Sequence, residues 1–308
     1  MRKNLSGAEY AAKKYIEVPV RKETTLLEFL MSEIFLTHNR AKDLLRGHGV
    51  FVDRKLTTQY DYALQPGMVV RVSRHRRSTE LLNQDVKIIY EDKNLVVVQK
   101  SDKILSMETS YGQHTVKSVL DAYFEQRHFK CTAHVVHRLD RETSGLMIYA
   151  KDIETRQILE HEWHDLVYDR RYIAVLCGEM PQEGGTVHSW LKETKSFITV
   201  SSPVDNGGKE AITHYHKLQS NGQFTLVEMK LETGRKNQIR VHMKELGYPV
   251  AGDNKYGNHR NPIGRLALHA YRLNFIHPVT GERMEFETPF PSQFMKLFEN
   301  QPIKNKQE

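Results

Sequence analysis

The sequence predicts an α+β fold with a mixed, largely antiparallel β-sheet, preceded by a small α/β module. The chain has 308 residues, which exceeds the usual size of a single hydrophobic core and favours two domains. Beyond about residue 85, strand patterns outnumber helical patterns, and several strands follow one another without a helix between them. A doubly wound parallel sheet would instead alternate strands with helices, so this order argues against one.

The front of the chain predicts two short helices followed by short strands. Apolar residues recur at helical spacing over residues 26–45, and short apolar runs at 50–52 and 68–72 are typical of strands. We therefore expect a compact module over residues 16–75 and a basic linker over residues 76–84.

The remaining residues, 85–300, are predicted to form the larger domain. Strands are predicted at 86–90, 95–98, 146–150, 172–176, 212–218, 224–231 and 266–275, and helices at 116–126, 153–164 and 236–246.

The positive charge is concentrated at the front of the chain. The net charge is +7, and the first 84 residues hold 15 Lys and Arg against 9 Asp and Glu, an excess of six. A polyanion such as RNA would be attracted chiefly to this end, because phosphate neutralisation dominates sequence-independent affinity. Solubility is the alternative explanation of the charge.

Other classes of protein are disfavoured by what the sequence lacks. Cys131 and Cys177 are too few for a disulfide framework or a four-cysteine zinc site. His161 and His164 are three residues apart where a zinc-protease helix needs four, so no metal site is predicted. The sequence has neither an apolar run long enough to span a bilayer nor an N-terminal signal peptide, which predicts a cytoplasmic protein with no membrane partner.

The most informative stretch is His137-Arg138-Leu139-Asp140-Arg141-Glu142-Thr143-Ser144-Gly145-Leu146. It places one aspartate, Asp140, between two arginines and then turns into an apolar strand. Neighbouring cations lower the pKa of a carboxyl group by about 1–3 units, so Asp140 is predicted to stay ionised as a nucleophile or base. A buried salt bridge is the structural alternative.

This stretch resembles the central motif of the RluA-type RNA pseudouridine synthases, which reads His-Arg-Leu-Asp, two variable positions, then Thr-Ser-Gly-Leu. Residues 169–178 and 231–243 resemble the second and third motifs of that family, and Gly252-Asp253 follows the third. Asn237 stands where the family commonly has His. The resemblance covers residues 85–290, and the front module resembles the ribosomal-protein-S-four-like RNA-binding domain.

The resemblance implies an isomerase that converts uridine in RNA to pseudouridine without a cofactor. Asp140, Tyr172 and Arg235 match the family's catalytic positions: Asp140 is the catalytic carboxylate, Tyr172 stacks on the flipped uracil, and Arg235 pairs with Asp140. Arg240 is the competing candidate for that pairing, with a phosphate contact or a structural role as its alternatives. The family leaves open whether the aspartate attacks the sugar, attacks the base or removes a sugar proton.

RNA-binding positions are expected in both domains. Arg138 matches a family position that fills the space left by a flipped nucleotide, with a phosphate clamp as the alternative. Ile239 and Arg235 are predicted to line one pocket from a shared helix. In the front module the basic candidates are Arg40, Lys42, Arg46 and Arg54.

Large-subunit ribosomal RNA is the expected partner, and the protein is expected to act as a monomer. A non-catalytic, ribosome-associated RNA-binding protein is the alternative function, and it would require Asp140, Tyr172 and Arg235 to be merely structural. A nucleobase deaminase is disfavoured, because the chain lacks the cysteine pair that holds the zinc of that class.

Overall fold

The computed structural model of the chain describes residues 15–46, 49–53, 55–73, 83–108, 112–258 and 260–299. Residue contacts divide the chain into two compact units, one formed by 1–82 with 87–97 and the other by 83–86 with 98–308. The predicted linker lies mostly outside the described residues, so the predicted domain limits stay predictions.

The first unit is built on a small antiparallel sheet and two helices. Its elements are β1 (Tyr15–Pro19), β2 (Thr24–Thr25), α1 (Leu26–Ser32), α2 (His38–Arg46), β3 (Val50–Val52), β4 (Lys55–Leu56), β5 (Ala63–Leu64) and β6 (Val69–Ser73). The sheet order is β1-β6-β3-β4. Helix α1 begins with a capping box, in which Thr25 and Glu28 satisfy each other's backbone amides. Apolar residues of both helices and of the sheet form its core, including Leu26, Leu30 and Val70.

Strands β7 (Val86–Glu91) and β8 (Leu95–Lys100) carry residues of both units. The second unit continues with α3 (Val116–Gln126), β9 (His134–Val135), β10 (Ser144–Ala150), α4 (Ile153–His161), α5 (Trp163–Leu166), β11 (Asp169–Cys177), β12 (Gly184–Glu193), β13 (Thr199–Ser202), β14 (Lys209–Ser220), β15 (Phe224–Leu231), α6 (Gln238–Glu245), β16 (Leu268–Ile276), β17 (Arg283–Glu287) and α7 (Ser292–Met295).

The large sheet follows the order β13-β12-β14-β15-β11-β16-β10-β8-β7, with β9 on β10 and β17 on β16. Its pairings are antiparallel from β12 through β11 to β16, whereas β10 and β16 run parallel. The prediction of an α+β fold with a mixed, largely antiparallel sheet is therefore confirmed. In the second unit, strands β9, β12, β13 and β17 are not predicted from the sequence.

Three central strands meet where the parallel pairing occurs. Gly145 of β10 and Tyr172 of β11 both pair with Ala270 of β16. A Cβ atom on Gly145 would lie 2.3 Å from the carbonyl oxygen of Ala270, so only glycine permits this approach. The register shifts between Arg171 and Tyr172, and such an irregularity re-aims the following side chain. Tyr172 and Gly145 therefore lie at the same level of the sheet, on the two strands that flank β16.

Candidate active site

One cavity of about 620 Å³ lies within the second unit and is lined by all three predicted catalytic residues. Its volume is in the range of small-molecule sites, about 300–1,000 Å³. Its walls come from the loop before β10, from helices α4 and α5, from the start of β11, and from the turn and first residues of α6. Asp140, Tyr172, Arg235, Ile239, Arg240 and Arg138 all line it.

The loop that carries Asp140 is fixed by hydrogen bonds on both sides. The Ser106 hydroxyl donates to the carbonyl of Leu139 at 3.0 Å. The fully buried Lys100 ammonium donates to the carbonyl of Arg141, also at 3.0 Å. Within the loop, the amide of Thr143 donates to the carbonyl of Asp140 at 3.1 Å. These bonds fix the backbone of the loop at Asp140 and at the residues on either side of it.

The environment of Asp140 differs from the sequence-based expectation. Burial raises the pKa of Asp140 above its ordinary value. Smaller effects lower this pKa, and the three largest of them, in decreasing order, are the Arg240 charge, a hydrogen bond from the backbone amide of Asn237 and the Arg138 charge. The prediction of a lowered pKa is therefore wrong: desolvation outweighs the cations. A raised pKa makes the ionised carboxylate more basic than a solvated one.

Arg240, on α6, is the cation whose charge acts most strongly on Asp140. Its Nε and Nη2 atoms donate to the two carboxylate oxygens of Asp253 at 2.7 and 2.6 Å. The side chain of Asp253 is fully buried, and that of Arg240 is 5% exposed. Arg240 Nη2 also lies 3.2 Å from a Glu142 oxygen. This bidentate pairing fixes the plane of the Arg240 guanidinium. The positive charge of that guanidinium lowers the pKa of Asp140.

Arg235 forms no ion pair with Asp140 in the structure. Its side chain is exposed, and its Nε atom donates to the carbonyl of Glu210 at 2.8 Å. The prediction placed Arg235 on the same helix as Ile239, but α6 begins only at Gln238. Asn237 precedes it in the left-handed conformation, with φ of 57°, and this breaks the helical register. Arg235 therefore lies on the wall of the cavity, and the competing candidate, Arg240, is the cation whose charge acts most strongly on Asp140.

The remaining wall next to Asp140 is aromatic and apolar. Tyr172 is 8% exposed and Ile239 is 4% exposed, and both line the cavity. Burial raises the pKa of the Tyr172 phenol, and the Arg170 charge opposes this shift. Tyr172 therefore stays neutral and offers its ring and a hydroxyl donor to the cavity.

Three further residues of the cavity lining, His137, Trp163 and Arg170, form a stack of side chains that the sequence analysis does not predict. The ring of His137 lies 4.8 Å from that of Trp163, and the guanidinium of Arg170 lies 5.4 Å from the same Trp163 ring. Burial, with the Arg170 charge, lowers the pKa of His137 to about 3, so this histidine is neutral. Its Nε2 atom accepts from the amide of Ile148 at 2.9 Å. Arg138, which is exposed, supplies a further positive charge at the rim.

Two residues that position the site are not predicted from the sequence. The backbone amide of Asn237 donates to Asp140. The side chain of Asn237 accepts from Arg240 through Oδ1 at 3.2 Å and donates to the Tyr256 hydroxyl through Nδ2 at 3.1 Å. Asp253 holds Arg240. The Gly252-Asp253 pair that follows the third motif contains one of the two, but no sequence pattern indicates a pairing between Arg240 and a residue thirteen positions away.

The front-module candidates lie in the first unit. Arg40 and Arg46 are helical positions of α2, and Lys42, on the same helix, has its Nζ atom 5.9 Å from the centroid of the Tyr60 ring. Arg54 lies outside the described residues. The residues that line the cavity all belong to the second unit.

Within the described ranges, no group of three or more His, Cys, Asp or Glu side chains is arranged to hold a metal ion. In the same part of the chain, no helix is long and apolar enough to cross a membrane.

Known proteins resemble the chain over the region that holds this cavity. A family described as RNA pseudouridylate synthase matches residues 94–245. The uncharacterized RNA pseudouridine synthase YjbO of Bacillus subtilis is 36% identical over 245 residues, which cover 78% of this chain and 86% of that protein. This chain belongs to the RNA pseudouridine synthase family. The synthase is therefore an isomerase, and its relatives support the RluA-type assignment.

Further relatives extend the comparison. Ribosomal large subunit pseudouridine synthase D of Haemophilus influenzae is 34% identical to the synthase over 235 residues, covering 71% of each chain. Among solved structures, human RNA pseudouridylate synthase domain containing 4 matches with a TM-score of 0.56 and 25% identity, over 68% of this chain and 90% of that one. These matches agree with the α+β fold of the synthase.

Proposed function

We propose that the synthase isomerises uridines of large-subunit ribosomal RNA to pseudouridine, with Asp140 as the catalytic carboxylate. The observation that carries this proposal is the position of Asp140 in the cavity, next to the Arg240 charge and the Asn237 amide. Glu160, the other acidic residue of the lining, is bound to Arg156 at 2.9 Å. Asp140 is thus the carboxylate whose surroundings suit a reaction.

The reaction breaks the bond between ribose C1′ and uracil N1 and forms one between C1′ and C5. N1 gains a proton and C5 loses one, so no electrons are exchanged. A carboxylate assists such a cleavage as a nucleophile or as a base. Arg240 keeps Asp140 ionised and oriented as charge shifts between carboxylate and substrate, which is the kind of fixed electrostatic support that accelerates reactions most.

Base flipping is the proposed route of the uridine into the cavity. A uridine stacked in a helix keeps its glycosidic bond out of reach of the Asp140 carboxylate, which lies in the cavity. Tyr172 and Ile239 line the cavity with flat and apolar surface on which a uracil ring would rest. Arg138, exposed at the rim, is placed to contact the strand from which the nucleotide leaves.

Ribosomal RNA is proposed as the substrate because relatives named ribosomal large subunit pseudouridine synthase D cover about 70% of this chain. The front module, proposed as a ribosomal-protein-S-four-like RNA-binding domain, would supply further affinity through Arg40, Lys42, Arg46 and Arg54.

Mapping of pseudouridines in total cellular RNA tests this proposal. Cells that lack the gene are compared with cells carrying the wild type or Asp140→Asn. We expect at least one large-subunit ribosomal pseudouridine to disappear without the gene, to return with the wild type and to stay absent with Asp140→Asn. Its return with Asp140→Asn would contradict the catalytic assignment. Loss confined to transfer or messenger RNA would contradict the ribosomal substrate while leaving uridine isomerisation intact.

A further inference from the structure

The turn between β12 and β13 exposes a large aromatic side chain. Phe197 is 70% exposed, and Ile198 and Val200, next along the chain, are 36% and 41% exposed. The backbone of Phe197 has a φ of 61°, in the left-handed region that a non-glycine residue seldom adopts. Single exposed apolar side chains are common on protein surfaces, whereas neighbouring ones that form a patch often mark a binding site.

The turn is held by its own hydrogen bonds. The amide of Thr194 donates to the carbonyl of Ile198 at 2.8 Å, and the amide of Phe197 donates to the carbonyl of Thr194 at 2.9 Å. The hydroxyls of Thr194 and Ser196 lie 2.9 Å apart. A ring presented from an ordered turn loses little freedom when it binds, which favours affinity.

Lysines surround this ring. The ammonium of Lys236 lies 5.9 Å from the centroid of the Phe197 ring, and the ammonium of Lys255 donates to the Phe197 carbonyl. Lys195 belongs to the same turn and is exposed. Glu193 offsets one of the three charges by pairing with Lys236. The turn therefore combines an open aromatic face with excess positive charge.

The same turn is bonded to the residues that position Asp140. At its end, the amide of Thr199 donates to the Tyr256 hydroxyl at 2.9 Å, and that hydroxyl accepts from Asn237 at 3.1 Å. The backbone amide of Asn237 donates to Asp140. Lys236 directly precedes Asn237 in the sequence. A ligand on Phe197 would thus lie beside the structure that supports the cavity, yet Phe197 does not line the cavity itself.

We propose that Phe197 is a stacking platform for an unpaired nucleobase of the RNA, with Lys195, Lys236 and Lys255 contacting its phosphates. Proteins that bind single-stranded nucleic acid combine these two features, an aromatic face for a base and cations for the backbone. The excess of lysines favours RNA over an apolar protein partner. The inference rests on the proposed function for the nature of the ligand, an RNA, and adds a binding site outside the reaction cavity.

Binding of a 12-nucleotide oligouridylate and of a 12-base-pair RNA duplex tests the proposal. Both are measured with full-length Asp140→Asn protein, which removes turnover, with and without Phe197→Ala. We expect Phe197→Ala to weaken oligouridylate binding by about five- to a hundredfold and to leave duplex binding unchanged. Phe197→Trp keeps an aromatic face and should bind the oligouridylate as tightly as Phe197 does. Val204→Ser, which removes a 67% exposed apolar side chain from the segment following β13, is the matched control and should leave binding unchanged.

Equal oligouridylate binding by the Phe197→Ala protein, or no binding by the parent, would overturn the platform. So would a loss of self-association in sedimentation with RNA binding unchanged, because that would assign the surface to a second copy of the chain. Tritium release from uridine-labelled RNA by the wild type is measured in parallel. Absence of release with the Phe197 effect intact would refute the proposed function and leave the platform standing.

Discussion

At the scale of single residues, Arg240 is the centre of the site. Its guanidinium is bound in bidentate fashion by Asp253, lies near Glu142 and acts on Asp140. Burial alone would raise the pKa of Asp253, but the hydrogen bonds and charge of Arg240, with two backbone amides, lower it. The pKa of Asp140 is raised instead. Two aspartates near one arginine thus have pKa values shifted in opposite directions: that of Asp253 is lowered and that of Asp140 is raised.

We expect Arg240→Gln to lower kcat/KM by about a hundredfold or more. It should also lower the free energy of unfolding by about 3–5 kcal/mol, because it leaves Asp253 buried without its partner. Adding Asp253→Asn should restore much of the stability but not the activity. Urea denaturation and kinetics on a labelled RNA measure the two effects.

The matched variant is Arg235→Gln, which removes an exposed guanidinium that bonds the Glu210 carbonyl. Its kcat/KM should fall by less than about tenfold, the range of a surface contact. A larger loss from Arg235→Gln than from Arg240→Gln would restore Arg235 as the partner of Asp140 and refute the assignment of that role to Arg240.

The raised pKa of Asp140 predicts a pH dependence. We expect the reaction to need the ionised carboxylate, so the acid limb of kcat/KM should lie above about pH 3.9, the ordinary value for Asp. Because the folded pKa exceeds the unfolded one, the stability linked to this group is present at low pH and is lost as the pH rises through the folded pKa. Asp140→Asn should therefore unfold at a higher urea concentration than the wild type at about pH 7. A lower one would show that the carboxylate stabilises the fold.

At the level of secondary-structure elements, β16 lies between β10, which follows the Asp140 loop, and β11, which carries Tyr172. Gly145→Ala would place a Cβ atom 2.3 Å from the Ala270 carbonyl oxygen, so backbone must move. We expect a loss of several kcal/mol in unfolding free energy, as for strained or overpacked sites, together with loss of activity. Gly281→Ala is the control: Gly281 also has a positive φ, of 67°, but a Cβ atom there would meet nothing within 4 Å.

Gly281→Ala should cost only about 1 kcal/mol, the conformational penalty alone. Equal losses in the two variants, measured by urea denaturation, would show that the close approach at Ala270 has no special importance.

The elements also show where the sequence is sufficient. Helix α3 has the limits that the sequence predicts, because its apolar residues recur regularly and Thr115 caps its start. The helix predicted over 236–246 begins later, because the left-handed Asn237 cannot be read from apolar spacing. Strand β12 escapes prediction because most of its residues are exposed and do not alternate between apolar and polar. A family resemblance indicates Asp140 and Tyr172 as candidates, whereas the pairing of Arg240 with Asp253 depends on tertiary packing.

At the scale of the whole molecule, most of the excess positive charge belongs to the first 84 residues. We expect that charge to bind phosphates. Replacing Arg40, Lys42, Arg46 and Arg54 by Gln in the full chain should weaken binding to ribosomal RNA. It should also flatten the log–log dependence of affinity on salt by about 0.7–0.9 for each lost contact.

Tritium release from a small labelled RNA should change little in the same quadruple variant, since the cavity residues all lie in the second unit. An unchanged salt slope would mean that the basic front is a solvated surface and that recognition belongs to the second unit alone.

Tritium release from RNA labelled at uracil C5 tests directly whether Asp140 is the catalytic residue of the isomerisation. The purified wild-type protein should release tritium from its substrate RNA. Asp140→Asn, which retains size and hydrogen bonding but not charge, should release none while binding the RNA within a few fold of the wild type. Appreciable release by Asp140→Asn would contradict the catalytic role of this carboxylate.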